Sequence, residues 1–207
     1  MKRPMRPDRL RALLIWAGLL AMFLIALAAA GFSPLLAWRE PIYIIAGFAG
    51  IVALCLVVMQ LLLIDGGLPG ARGMKGRRIH KWVGLILVAA VILHVAGLWI
   101  TSPPDVIDAL LFRSPTPFST WGVVAMWSVF VAAFSVAFRR RLSSNPRVWR
   151  RVHVSLASLT SVGTVVHALL IHGTMESTSK ILVSLLLLVV LCKVVLVPRV
   201  RAAWVHK

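Results

Sequence analysis

Arg77-Arg78-Ile79-His80-Lys81-Trp82-Val83-Gly84-Leu85-Ile86-Leu87-Val88-Ala89-Ala90-Val91-Ile92-Leu93-His94 opens on a basic cluster and then runs without a charge as far as Ile100, interrupted only by histidine. About 20 apolar residues in a helix cross a hydrocarbon core, and the run 79–100 is long enough. Five more runs share this character, at approximately 10–32, 42–64, 121–138, 152–172 and 181–197. Apolar residues make up 60% of the 207 and the mean hydropathy is +0.92. A soluble domain holds roughly 45–50%. Segments of alternating hydrophobicity are missing, which excludes a barrel. The expected fold class is all-α, a polytopic membrane protein with a six-transmembrane-helix bundle occupying residues 1–207 as a single domain. Basic residues before the first run, and Ala28-Ala29-Ala30 within it, imitate a signal peptide. The apolar stretch exceeds the usual 7–15 residue signal core, so it reads as a retained span.

Charge orients the spans. Basic residues collect in the N-terminal segment (Lys2, Arg3, Arg6, Arg9, Arg11), the second connection (Arg72, Lys75, Arg77, Arg78, Lys81), the fourth (Arg139, Arg140, Arg141, Arg147, Arg150, Arg151) and the C-terminal end (Lys193, Arg199, Arg201, Lys207). The other three connections hold Arg39, Arg113 and Lys180. The positive-inside rule then puts both the N and C termini in the cytoplasm, with the chain in the cytoplasmic (inner) membrane. The net charge of +17 sits at helix ends, where it sets topology and meets anionic lipid, and does not call for nucleic acid as a partner. Cys55 and Cys192 lie in apolar runs without metal or disulfide spacing and read as packing residues. Asp65-Gly66-Gly67-Leu68-Pro69-Gly70 follows a membrane helix, lacks the strand–turn–helix setting of a dinucleotide site, and reads as a flexible loop. Ser102-Pro103-Pro104-Asp105 ahead of Val106, Ile107, Leu110 and Leu111 suits a short interfacial helix.

The third run carries His80 and His94, the fifth His153 and His167, each pair 14 positions apart. Fourteen residues are about four turns, so the second side chain returns to nearly the same face some 21 Å along. The two spans run in the same direction, which sets His80 level with His153 on the inner side and His94 level with His167 on the outer. Imidazoles facing each other across a bundle suit the axial ligation of a haem iron. With both axial positions filled, the iron can change oxidation state without binding substrate. Two haem b groups are therefore expected, held non-covalently because no Cys-x-x-Cys-His attachment motif occurs. A porphyrin beside a helix needs small residues on the ligand face, and the positions four residues inward are Gly84, Ala90, Ala157 and Gly163. Trp149, one turn before His153 on roughly its face, reads as an interfacial anchor, with a place on the electron entry path as the alternative. His172 and His206 take no ligand role. The competing reading is a non-redox membrane transporter or assembly factor with structural or metal-binding histidines, but midplane polar groups are few, Gln60 among them.

The segments Arg77 to Gly84 with His94, and Trp149-Arg150-Arg151-Val152-His153 with His167, resemble the ferric reductase-like transmembrane domain family. This family includes the haem domains of ferric reductases and NADPH oxidases and the haem-binding membrane subunit of the methionine sulfoxide reductase system. The resemblance implies haem ligation by His80, His94, His153 and His167. It also implies electron transfer across the membrane from a cytoplasmic flavin/nicotinamide reductase to an extracytoplasmic acceptor: ferric iron, oxygen or a partner enzyme. No flavin or NADPH domain is recognisable after the sixth run, so the expected arrangement is an electron-transfer subunit. Its donor would be a partner reductase or quinol, with flavin on that partner or loosely bound.

Overall fold

The computed structural model describes residues 7–142 and 145–205, with side chains described as far as Leu196 except those of Pro7, Asp8, Arg140 and Leu142. Of the basic residues named above, Lys2, Arg3, Arg6 and Lys207 lie outside the described residues, as does His206, and so do the side chains of Arg140, Arg199 and Arg201.

Among the described residues eight α-helices follow one another: α1 (Pro7–Gly31), α2 (Pro41–Asp65), α3 (Gly73–Thr101), α4 (Pro103–Leu110), α5 (Pro117–Ala137), α6 (Arg139–Leu142), α7 (Pro146–Leu170) and α8 (Ser177–Val205). There is no strand among the described residues. Six of these helices are long and apolar enough to cross a membrane. The helices overrun the apolar stretches that announce them: α3 begins at Gly73 and α7 at Pro146, each six residues before the expected start. Capping rather than hydropathy sets the start of α7. Proline stands at the first turn of α2, α4, α5 and α7, where its missing N–H costs nothing. Asn145 accepts from the N–H groups of Arg147 and Val148 to start α7. Gly66, at φ 71°, ends α2 in the left-handed conformation.

Packing makes two hairpins and a bridge. Helix α2 packs along α3, α5 along α7, and α8 touches both α2 and α7. The core lies where these meet, with Val58 of α2 and Val183 and Leu187 of α8 fully buried. Helix α1 is peripheral and buries little beyond Ala26 and Ala30. On the outer surfaces Leu85, Ile86, Leu93, Leu182 and Leu185 are each more than half exposed, an apolar belt suited to lipid. Helices α3 and α7 barely meet each other directly.

The connections sort into two ends. At one end Trp16 of α1 donates from Nε1 to the Pro69 carbonyl (3.1 Å), and Lys193 of α8 reaches Asp65 at the end of α2 (2.6 Å). This end also holds the Arg-rich α5–α7 connection and is here called the basic face. At the far face Thr174, in the α7–α8 connection, lies against Gly47 of α2. Glu176 there accepts from the N–H groups of Ser179 and Thr178 to cap α8, and these bonds hold its carboxyl down to about 2. The expected interfacial helix is α4, with the Ser102 hydroxyl donating to Asp105 (2.6 Å) and Ile107 and Leu111 exposed.

The Asp65–Gly70 loop departs from its reading as a flexible connection. Leu68 is 1% exposed and packs with Leu63 and Ala71. Arg72 Nε donates to the Gly66 carbonyl (3.3 Å), and a Cβ on Gly76 would run into the Ala71 carbonyl. One leucine with a buried place to go folds the glycine-rich segment back onto the bundle. Replacing it, Leu68→Ala, is expected to lower stability by about 2–5 kcal/mol. Leu35→Ala, in the half-exposed α1–α2 connection, should change it little. Thermal unfolding of both variants in the same detergent measures the difference.

Candidate functional site: four histidines between α3 and α7

The two histidines of α3 face the two of α7. Ring centroids of His80 and His153 are 6.4 Å apart with an interplanar angle of 72°. For His94 and His167 the values are 6.4 Å and 79°. A metal–imidazole bond of about 2 Å, with roughly 1.2 Å from nitrogen to ring centre, spaces two axial imidazoles by about 6.4 Å between centroids. The pairs therefore stand at the separation that one metal atom between them requires. The gap that keeps α3 and α7 apart is where a planar group carrying such an atom would lie.

The far pair shows how a ring is aimed. His94 Nδ1 donates to the Ala46 carbonyl of α2 (2.7 Å), and His167 Nδ1 to the Phe118 carbonyl of α5 (2.8 Å). A carbonyl only accepts, so each Nδ1 carries the proton and each Nε2 keeps its lone pair, the state a metal ligand needs. Phe118 also meets the His167 ring edge-on at 5.9 Å. Both carbonyls are reachable because a glycine stands one turn further along the same helix. A Cβ on Gly50 would lie 3.0 Å from the His94 ring, and one on Gly122 would lie 2.7 Å from His167 Nδ1. Gly97 of α3 brings the first hairpin together against Ala46, and Gly163 of α7 brings the second together against Ala125 and the Trp121 carbonyl.

The basic-face pair is built differently. Nδ1 of His80 and of His153 is buried without a hydrogen-bond partner, as is Oε1 of Gln60. Gln60 lies beside Gly84, with its Nε2 2.7 Å from where a Cβ would stand. This puts it level with the basic-face pair, near the end of α2, rather than at the midplane. Trp149 stacks on the His153 ring, centroids 5.2 Å apart and planes within 12°.

The four small residues expected on the ligand face divide. Ala90 is buried and Ala157 half-buried, whereas the Cβ directions of Gly84 and Gly163 point at Gln60 and at α5. His172 is exposed at the far face. Gly50 and Gly122 escaped the sequence reading. Their signal is positional: each follows by four residues the position whose carbonyl meets a histidine, but it becomes readable only once hairpin register is known.

The family model described as ferric reductase like transmembrane component matches residues 49–164. The match takes in His80, His94, His153, Gly50 and Gly122, and stops three residues before His167. No curated protein and no solved structure matches the chain.

Gly122→Ala should force His167 off its carbonyl and cost about 1–3 kcal/mol as an overpacked contact. Gly18→Ala, on α1 where a Cβ meets nothing within 4 Å, should be near neutral. Thermal unfolding of the two variants tests the comparison.

Proposed function

Because the chain belongs to the ferric reductase-like transmembrane family, whose role is membrane electron transfer, we propose that it is a di-haem b-type electron-transfer subunit. In this reading His80 and His153 ligate one haem iron and His94 and His167 the other. The observation that carries it is the 6.4 Å centroid separation at both pairs. A haem held this way supplies a one-electron carrier with no open coordination site. The chain's own residues do the rest. Ala46 and Phe118 fix the far-face tautomers through their carbonyls. Gly50 and Gly122 leave the rings room to reach them. Ala90 and Ala157 leave space beside the ligands, and Gly84 and Gly163 allow the supporting helices to approach. The apolar belt excludes water around the path, so charge crosses at the paired histidines rather than through the lipid-facing helices.

Orientation follows from charge. Arg77, Arg78, Lys81, Arg147, Arg150 and Arg151 lie around the His80–His153 end, which is assigned to the cytoplasm by the positive-inside rule. Electrons then enter there from a flavin or nicotinamide reductase or from quinol. They leave at the His94–His167 end to ferric iron, oxygen or an extracytoplasmic enzyme.

Purified protein should carry two b-type haems per chain by pyridine haemochrome assay, with a bis-histidine low-spin spectrum. His80→Ala and His153→Ala should each remove the same haem, and His94→Ala and His167→Ala the other. Colourless protein from cells supplied with haem would sink the reading, and a shared loss in His80→Ala and His167→Ala would overturn the pairing.

The donor side has its own test. In liposomes, NADPH alone should leave the haems oxidised, while a flavin reductase or a quinol should reduce them. With a reductase that docks through acidic residues, the rate should fall as salt rises, because exposed charges are screened over about 8 Å at physiological ionic strength. Rapid reduction by NADPH without flavoprotein would exclude a separate donor.

A further inference from the structure

A ligating imidazole needs its ring rotation fixed, usually through the nitrogen that does not bind the metal. His94 and His167 meet that need with backbone carbonyls. His153 does not, since its Nδ1 is buried with no partner. What touches the His153 ring instead is the Trp149 indole, one turn earlier on α7 and nearly parallel at 5.2 Å. The indole is itself held: Nε1 donates to the Ser135 carbonyl of α5 (3.4 Å), and the Arg139 guanidinium lies over the ring at 4.3 Å. An anchoring tryptophan leaves its ring open to the membrane interface, and Trp82, 59% exposed, is free to do so. Trp149 is half-buried and engaged from three directions.

Resting on the haem assignment, we infer that Trp149 is the positioning residue for the basic-face pair: its indole fixes the His153 ring in place of a carbonyl, and Arg139, carried on that indole, raises the reduction potential of the iron that His153 ligates. The charge argument is elementary. Reduction removes one positive charge from the iron, so a nearby cation favours the reduced form, by an amount that falls with distance and screening. The stacking argument is geometric. An indole restrained at its edge and over its ring leaves the stacked imidazole one orientation. The same Arg139–Trp149–His153 series runs from an exposed cation to a ligand, so the surface where a donor would dock is in contact with the site it reduces.

The test uses the full-length haem-loaded protein in nanodiscs, with electron paramagnetic resonance for imidazole orientation and redox titration for potential. The basic-face haem is the one absent from His153→Ala and present in His167→Ala. Trp149→Leu should change the low-spin signal of that haem alone and weaken its retention about tenfold or more, and Trp149→Phe, which keeps a stacked face but loses the Ser135 bond, should shift the signal measurably but less and keep most of the retention. Arg139→Gln should lower its potential without altering its signal, Arg139→Lys should restore the potential, and Trp82→Leu should change neither. A wild-type signal in Trp149→Leu overturns the positioning role. A wild-type potential in Arg139→Gln overturns the charge role. If Trp149→Leu yields no folded protein, Trp149→Phe decides the first point, since a smaller face without the Ser135 bond must shift the signal measurably. These failures differ from failure of the haem assignment, which a colourless wild-type protein would announce.

Discussion

An imidazole inside a hydrocarbon layer is best held when its polar nitrogens are answered, and for the far pair of this bundle the answer comes from backbone carbonyls of a neighbouring helix. Carbonyls inside a helix already accept their own i+4 N–H, but each has a second lone pair. Ala46 and Phe118 offer that lone pair to His94 and His167. The bond settles which nitrogen holds the proton, so it also settles which nitrogen is free to bind. The rest of the far-face site follows from the closeness that this bond demands. Gly50 and Gly122 are bare where a methyl group would strike the ring, and Gly97 and Gly163 draw each hairpin tight enough for the ring to reach.

The same demand divides the molecule into repeated halves. One helix of each hairpin supports and one carries the histidines: α2 backs α3, and α5 backs α7. The far-face histidine of each helix bonds to its own supporter, and α3 and α7 barely pack on one another. The space between them is kept by the histidines themselves, with α8 joining the halves from behind through Val183 and Leu187. Helix α1 adds its weight through the Trp16–Pro69 bond and a narrow alanine contact, and it serves the site by holding the α2–α3 loop.

The halves are not equivalent at the two faces. Carbonyl bonds orient the far pair, while His153 Nδ1 is unanswered and His80 has only the Gln60 backbone near it, too loosely placed for a full hydrogen bond. Trp149 and Gln60 occupy the corresponding neighbourhood, one as a stacked ring and the other as an amide beside Gly84. A basic-face pair set by side chains can be tuned independently of a far pair fixed by backbone.

Hydropathy and charge alone determined the six spans, because a helix in lipid must be apolar for its whole crossing and its basic residues must stay outside. The equal spacing of His80 to His94 and His153 to His167 likewise determined the two levels, since helical pitch is a property of the chain and not of its surroundings. Helix ends were less legible: α7 starts at the cap that Asn145 and Pro146 make, ahead of its apolar stretch, and α3 likewise begins six residues before its own. For the Asp65–Gly70 loop, composition reports the freedom of its backbone but not the buried place waiting for Leu68. The small residues near the ligands were visible as a set, yet Gly84 and Gly163 turn toward supporting helices, and Gly50 and Gly122, which clear the rings, lie on helices that carry no ligand. Tertiary structure alone decided these matters, together with the carbonyl partners and the Trp149 stack. A contact between helices depends on their relative rotation and rise, and no periodicity within one helix encodes the register of another.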